Sequence, residues 1–424
     1  MARRKPKPAR PHQQVASLLA LASATVLVPL AQASDEHVSV DIMRYQESDD
    51  RMGVSYGSLD LLKDFGTDFT LNMGATYDTL SGGSPSWDTT SGASAITTSD
   101  TSSGASPCND ATGSYYDTCR NTRNGNLLGD GQTSTDAFTY HNVQIEDTRK
   151  AIYGSLTTRT ESRNEITTGA AFSTESDFHS LEGSVDYLFY LDQLKNRAMN
   201  LGFSYQSNEA YFYRDDTWRD SRIMQGQIGW TEVYSPTLLT QLRLFYIKES
   251  GELSNPYSLV IRKVNVMLDS SEGAYFKYYL SPDSRPDERN IGGLNIDLAK
   301  QWAPVTLQEN YRFYHDDWGI DAHTLDSTLF YDVAAGWRFS GGLRLYTQSE
   351  ALFYKGHDDA DFYFDEQGYA TADERLGAFS SVTYKLGVES PYYNDWKWRV
   401  NLATQHQTTG LDMTWMTLGV TYAL

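Results

Sequence analysis

Apolar and polar side chains alternate along much of the chain after residue 34, with the period of two that β-strands show. From Val305 to Tyr314, for example, odd positions are apolar apart from Glu309, and even positions are polar or tyrosine. Reading this alternation along the chain predicts sixteen strands, at 37–47, 52–64, 67–79, 146–159, 163–175, 178–191, 197–207, 221–234, 238–249, 288–301, 304–316, 323–337, 340–354, 374–389, 396–408 and 412–424.

The connections between these strands differ in length according to their order. Tight turns follow the even-numbered strands, at Asp64–Gly66, Glu161–Asn164, Asp192–Asn196, Tyr234–Thr237, Gln301–Pro304, Phe339–Gly342 and Ser390–Asp395. Most other connections are longer, and the stretch 250–287 could itself hold a hairpin, so fourteen to eighteen strands fit the pattern. Short periplasmic turns and longer external loops are typical of a transmembrane, antiparallel, up-and-down β-barrel. The fold prediction is therefore all-β, with about sixteen strands in such a barrel.

Charged side chains in the middle of strands would be costly if they faced lipid, so we expect them to face the lumen. Two interpretations stay open, a pore lining that selects by charge and a set of ion pairs that stiffens the wall. The candidate lumen-lining residues are Arg243, Arg312, Asp326, Asp332, Arg338, Arg344 and Glu350.

The two ends of the chain carry export and assembly signals. Residues 1–33 combine a basic start, an apolar stretch from Val15 to Leu30 and the small-residue pattern Ala31-Gln32-Ala33, which is typical of a cleaved signal peptide. Residues 34–424 would then form the barrel. The last strand has an apolar or aromatic residue at every second position, which predicts a signal for the barrel-assembly machinery formed by Met416, Leu418, Val420, Tyr422 and Leu424.

Composition and charge narrow the environment and the partners. The chain has 29 Tyr, 17 Phe and 9 Trp, which suits the aromatic girdles of a barrel in the outer membrane of a Gram-negative cell. Its net charge is −20, which argues against a nucleic-acid partner. The expected partners are outer-membrane lipid and lipopolysaccharide, together with a periplasmic protein or lipoprotein.

One long connection, at about 80–145, is rich in Ser, Thr, Gly and Asp and predicts a low-complexity external loop. Both cysteines, Cys108 and Cys119, lie inside it. Because an exported chain meets oxidising conditions, we expect them to form one disulfide within the loop.

Two acidic clusters are candidate sites for a divalent cation in external loops, since carboxylate oxygens suit Ca²⁺ or Mg²⁺. Neither cluster matches an EF-hand loop, and acidic loops also occur for solubility alone. The candidate ligands are Asp316, Asp317, Asp321, Asp358, Asp359 and Asp361. No other cofactor is expected. Without a nucleophile motif or a metal-hydrolase motif, we expect no enzymatic activity.

Several segments occur in order along the mature chain, among them Ser173–Phe178, Pro282–Pro286, Tyr311–Ile320 and Arg344–Ser349. Together they resemble a family of proteobacterial outer-membrane barrels of unknown function. Genes of this family often neighbour a flavin-attaching enzyme and a small lipoprotein. The resemblance therefore implies a connection to electron transfer in the cell envelope.

Two functions fit the sequence. Mid-strand charge and a high strand count favour a channel or passive transporter of an unknown solute. The family context favours a non-conducting scaffold or sheath that holds a partner. An open lumen would support the first function, and a lumen closed by loops or filled by a partner would support the second.

Overall fold

The computed structural model describes residues 36–89, 135, 138–212, 215–267 and 274–424. Within these ranges, no helix is long and apolar enough to cross a membrane. Short 3₁₀ turns occur at Ser48–Asp50, Ala334–Gly336 and Glu374–Leu376. The strands are β1 His37–Glu47, β2 Met52–Phe65, β3 Phe69–Thr89, β4 Phe138–Arg159, β5 Glu165–Thr174, β6 Phe178–Tyr190, β7 Arg197–Phe212, β8 Thr217–Ser235, β9 Leu238–Gly251, β10 Leu259–Met267, β11 Ala274–Pro282, β12 Glu288–Trp302, β13 Val305–Asp316, β14 Asp321–Asp332, β15 Arg338–Gln348, β16 Phe364–Asp365, β17 Phe379–Glu389, β18 Trp396–Gln407 and β19 Asp412–Ala423.

Sixteen of these strands form one closed, antiparallel barrel in chain order, which confirms the predicted fold class and strand number. The barrel closes where β1 pairs with β19, in a register that runs from His37 opposite Ala423 to Glu47 opposite Met413. Strands β10, β11 and β16 are not part of this wall. Because the sheet closes on itself, its backbone N–H and C=O groups pair with neighbouring strands and no edge is left open.

The two faces of the wall differ as the alternation predicts. On β1, Val40 and Ile42 are 47% and 53% exposed on the outer face, whereas Ser39 and Asp41 are 7% and 8% exposed on the inner face. The apolar residues of the predicted assembly signal likewise lie on the outer face of β19, with Leu424 following it; all are at least 36% exposed, namely Met416, Leu418, Val420, Tyr422 and Leu424. This arrangement is apolar outside and polar inside, the reverse of a water-soluble domain.

The connections confirm the predicted tight turns after even-numbered wall strands, whereas the predicted long connections 208–220 and 314–322 shorten to four residues each, 213–216 and 317–320. At one end of the barrel, here called the turn end, successive wall strands are joined by at most six residues, and β1 begins and β19 ends there. At the other end, the loop end, the connections 252–287 and 349–378 are each about 30 residues or longer, and 90–137 is longer still.

One predicted turn, the one after β14, is misplaced. The strand ends at Asp332 rather than 337, and the chain reverses at 333–337, where Ala335 and Gly336 adopt positive φ values of 74° and 86°. The predicted turn at Phe339–Gly342 lies inside β15 instead. Gly342 is small for a packing reason, because a Cβ atom there would lie 2.8 Å from Cε of Lys385.

The long connection near 80–145 is shorter than predicted. Strand β3 continues to Thr89 and β4 already begins at Phe138, so both extend past the predicted limits at 79 and 146. The alternation is weaker in these extensions, because small and polar residues dominate their sequence. Cys108, Cys119 and the signal peptide at 1–33 lie outside the described residues.

The possible hairpin within 250–287 is present, but it does not enter the wall. Strands β10 and β11 pair with each other, and β10 pairs with β16 from the connection 349–378. Their apolar side chains and the extended ends of β3 and β4 form a core made of Trp87, Phe138, Val260, Ile261, Leu280, Phe364, Ala370 and Ala372. We call residues 252–267, 274–287 and 349–378 the cap.

The cap lies across the loop end of the barrel. It arises from the connections that follow the ninth and thirteenth wall strands, yet it contacts other sectors of the wall. Tyr257 donates a hydrogen bond to Asp177, between the fifth and sixth strands, and Glu374 pairs with Arg51, between the first and second, at 2.9 Å. Contacts with such distant parts of the circumference require the cap to reach over the opening.

Candidate functional site in the barrel lumen

Three arginines lie close together on the inner face of the wall. Arg243 on β9 and Arg312 on β13 are both opposite Asn295 of the intervening strand β12. Arg344 lies two strands beyond Arg312 on β15 and interacts with it electrostatically. The outward neighbours of Arg243 and Arg344 are exposed leucines, as Leu242 shows at 43%. This sector therefore concentrates positive charge inside a chain whose net charge is −20.

Some of the predicted lumen residues form ion pairs within the wall. Arg243 Nη2 lies 3.0 Å from Asp297 Oδ2, and Arg338 Nε lies 2.6 Å from Asp332 Oδ1. Asp326 pairs with Lys385. These contacts connect neighbouring or nearby strands, so they stiffen the wall and leave little free charge.

Arg312 and Arg344 behave differently from the other candidates. Among the described residues, no carboxylate lies within 4.0 Å of either guanidinium. The guanidinium of Arg312 instead lies 4.8 Å from the centre of the Phe245 ring. Two neighbouring cations without a carboxylate partner repel each other, so an ion-pair role does not account for them.

The position of Phe245 depends on a glycine between the two strands. Gly293 on β12 lies beside Phe245 and Tyr314, and a Cβ atom there would be 2.3 Å from the backbone oxygen of Phe313 and 2.4 Å from Cζ of the Phe245 ring. The absent side chain leaves room for the ring to lie across β12 beneath Arg312. Phe245 thus supplies a cation–π platform that fixes the guanidinium without neutralising it.

Glu350 does not lie on the lumen wall as predicted. Strand β15 ends at Gln348, and Glu350 is exposed in the connection that follows. Sequence reasoning also missed Asp297 and Lys385, the partners of Arg243 and Asp326. Both occupy mid-strand polar positions, so the alternation that identified the other charges could have found them too.

The wall also has inward acids in other sectors. Asp186 on β6 accepts hydrogen bonds from Gln227 Nε2 at 3.1 Å and Asn200 Nδ2 at 3.4 Å. Glu182, four residues away on the same face of this strand, makes no ion pair with a residue in the described ranges. Inward acids therefore occur both beside the arginines, at Asp297 and Asp326, and in this other sector.

The cap contains a buried charge cluster of its own. Arg285 donates to Asp283 Oδ1 and to Asp373 Oδ2, both at 2.8 Å, and the three side chains are at most 10% exposed. Arg375 also binds Asp373, at 2.6 Å, but it is 61% exposed. Burial opposes ionisation of Asp373, yet Arg375 and Arg285 together hold the pKa of that carboxyl well below its usual range. Burial raises the pKa of Asp283 despite Arg285.

Asp316 has a structural role at the turn between β13 and β14. The residue is 1% exposed, and its carboxylate accepts hydrogen bonds from the backbone N–H groups of Trp318 and Ile320, at 3.0 and 2.9 Å. Arg289 donates to the same carboxylate at 2.6 Å. The other candidate cation ligands contact separate groups, namely Asp317 with Asn290, Asp321 with His315, Asp358 with His357, Asp359 with the Gly356 N–H and Asp361 with Lys355. A cation held by these loops stays a prediction.

A different carboxylate group comes together beside the loop between β5 and β6. Asp147, Glu175 and Asp177 offer oxygen atoms that all lie within 4.8 Å of one another. Burial and the nearby Asp147 carboxylate raise the pKa of Glu175 to about 7. Glu175 and Asp177 lie in the connection between β5 and β6, whereas Asp147 lies on β4, so no local sequence motif contains all three.

The chain is similar in structure to several known proteins. It shares 9% identity with the CymD monoaromatic hydrocarbon channel, at a TM-score of 0.39, with 92% of this chain and 88% of that one covered. With CdiB from Acinetobacter baumannii it shares 6% identity at a TM-score of 0.49, and the match covers 92% of this chain and 60% of that protein. With a bacterial polysaccharide outer membrane secretin it shares 4% identity at a TM-score of 0.46, and the match covers 92% of this chain and 99% of that one.

Sequence comparison gives the family. No curated protein matches the chain. Residues 13–221 and 208–422 match the family described as Protein of unknown function (DUF3570), and together these matches cover nearly the whole chain. The resemblance to a barrel family of unknown function is thereby confirmed, and the chain belongs to the DUF3570 family.

Proposed function

We propose that the mature chain is an outer-membrane channel or passive transporter for a small solute, with the loop end outside the cell and the turn end in the periplasm. An apolar outer face and a polar inner face suit a barrel that crosses a bilayer. A wall of sixteen strands encloses more space than its own side chains fill. In this proposal the barrel itself catalyses no reaction.

The observation that carries the proposal is a pair of lumen arginines, Arg312 and Arg344, that have no carboxylate partner in the part of the chain that the structure describes. A charged side chain that is neither paired nor hydrated in a protein interior would lower the free energy of unfolding by about several kcal/mol, the cost of removing an ion from water. Water in the lumen removes that cost, and a passing solute gives the charge a purpose. A barrel that served only as a rigid sheath would gain nothing from these two residues.

Single-channel recording of the purified mature protein in a planar bilayer tests this function. We expect stable, ohmic conductance steps from protein whose heat-modifiable gel mobility shows that it is folded. Silence from folded, inserted protein would exclude the channel.

A second function, a scaffold or sheath for a periplasmic protein or lipoprotein, is favoured by the cap. The cap has its own apolar core and lies over the loop end, whereas the turn end carries only short connections. A partner entering from the periplasm would find the more accessible end of the barrel. Such a partner could bring a redox centre for envelope electron transfer, and added partner would then bind the folded barrel that stays silent alone.

The environment of the barrel follows from the same proposal. Lipid and lipopolysaccharide would cover the outer face, and a divalent cation could bridge acidic external loops to lipopolysaccharide phosphates. The apolar residues at the end of β19 would be read by the barrel-assembly machinery. Replacement of Leu424 and Tyr422 by lysine is expected to reduce the amount of heat-modifiable barrel in outer-membrane fractions.

A further inference from the structure

We propose that Arg312 and Arg344 form a binding site for a small oxyanion, the carboxylate or phosphate group of a solute in the lumen. This inference rests on the proposed channel function and adds the chemical class of its solute. A guanidinium presents two parallel N–H donors that match the two oxygens of a carboxylate or phosphate, and charge-assisted bonds of this kind are the strong ones.

The acids nearest to the two arginines are already engaged. Asp297 accepts hydrogen bonds from Arg243 at 3.0 Å and from Asn310 Nδ2 at 2.7 Å, through different oxygen atoms. Asp326, directly opposite Arg344 in the strand register, pairs with Lys385 instead. Neither acid is therefore available to neutralise Arg312 or Arg344, and an anion from solution can take that place.

The surroundings of Arg312 hold it ready for a ligand. One face of its guanidinium lies over Phe245, which packs in an apolar cluster with Ile247 and Ile291. The hydroxyl of Tyr314 donates to Asp316 at 2.7 Å, and that of Tyr346 donates to Gln348 at 2.6 Å. Among the described residues, Arg312 makes no hydrogen bond and no ion pair, so its N–H edges are open to an anion while the Phe245 ring orients the guanidinium.

Inorganic phosphate and acetate serve as probes, one for each source of the oxyanion. In planar bilayers with chloride as the current carrier, added probe should reduce the wild-type current in a saturable way. A unit charge about 4 Å away changes local ion occupancy about fivefold even at the permittivity of water. We therefore expect Arg344→Gln to raise the half-blocking concentration about fivefold and the double variant with Arg312→Gln to raise it further.

Arg222→Gln is the matched control, because Arg222 is exposed on the outer face of β8 and makes no ion pair with a described residue. It should leave the block unchanged. Arg344 makes no hydrogen bond or ion pair with a described residue either, so Arg344→Gln alone provides the test if the double variant does not fold. Block by phosphate alone, or by acetate alone, would identify which oxyanion the site takes.

Equilibrium dialysis of labelled phosphate and acetate against folded protein in detergent separates this inference from the channel proposal. Binding that is lost in Arg344→Gln, from a barrel that never conducts, would overturn the channel and keep the site. Conductance without block and without binding would overturn the site and keep the channel. Block that is equal in wild type and in both arginine variants would also overturn the site.

Discussion

The buried charge cluster of the cap gives a quantitative prediction, because two arginines bind the same carboxylate from different environments. Arg285 is 10% exposed and Arg375 is 61% exposed, while Asp373 between them is 7% exposed. We consider Arg285→Met and Arg375→Met. Both changes remove one positive charge and keep an unbranched side chain, so they differ mainly in the burial of the pair that is broken.

Arg285→Met leaves two buried carboxylates with one cation fewer. Breaking a buried ion pair costs about 3–5 kcal/mol, whereas an exposed pair is worth at most about 1 kcal/mol. The hydrogen bonds between Ser284 and Ala370, at 2.8 and 2.9 Å, join the two segments of the cap and report on its opening. At about 1.4 kcal/mol per factor of ten, their amide protons should exchange about a hundred- to several-thousandfold faster in Arg285→Met. Arg375→Met should accelerate them about fivefold at most.

Hydrogen exchange read by mass spectrometry on folded protein measures both variants, with β12 as the internal reference in the wall. Lower pH should partly restore the cap in Arg285→Met, because burial already raises the pKa of Asp283 and protonation removes its uncompensated charge. Equal acceleration in the two variants, or a larger effect of Arg375→Met, would refute the claim that Arg285 is the cation that holds the cap together.

Three further predictions concern single positions. The pKa of Glu175 is raised to about 7, so its ionisation between about pH 4.5 and 7 should destabilise its loop by at most about 3 kcal/mol. Hydrogen exchange of the Tyr211 amide, which donates to the backbone oxygen of Asp177, should accelerate over this pH range, and Glu175→Gln should abolish the acceleration. Gly293→Ala should lower the free energy of unfolding in urea by about 1–3 kcal/mol and weaken phosphate block, because its Cβ atom would clash with Phe245. Gly292→Ala is the control and should have neither effect, because the space around Gly292 is open. Asp316→Ala should cost about 3–5 kcal/mol by loss of its buried bonds to Arg289 and the turn, against about 1 kcal/mol or less for Asp317→Ala at an exposed position.

The wall could be predicted from the sequence because each strand has an apolar outer face and a polar inner face, which gives its sequence a period of two. Boundaries failed where a residue type has two possible causes. Gly341 and Gly342 suggested a turn, but Gly342 is small because Lys385 crosses above it. The actual reversal, at 333–337, has an apolar sequence apart from one glycine, so it continued the strand pattern.

The candidate site was predictable in its members but not in its pairing. Mid-strand charge identified Arg243, Arg312 and Arg344 as lumen residues, because lipid would not tolerate them. Which arginine is left without a carboxylate partner depends on the register of neighbouring strands. Asp326 stands opposite Arg344, yet Lys385 two strands away reaches it through the space above Gly342. No pattern within one strand contains that information.

The cap and the arginine site are connected by the route that a solute would take. Because the cap lies across the loop end, a solute that entered there would reach Arg312 either beside the cap or after the cap opens. Cap opening and conductance can be compared in the same Arg285→Met protein. If conductance rises together with hydrogen exchange of the cap, the cap closes the passage. If exchange rises and conductance stays constant, the passage runs beside the cap, and the buried cluster serves only to hold the external loops in place.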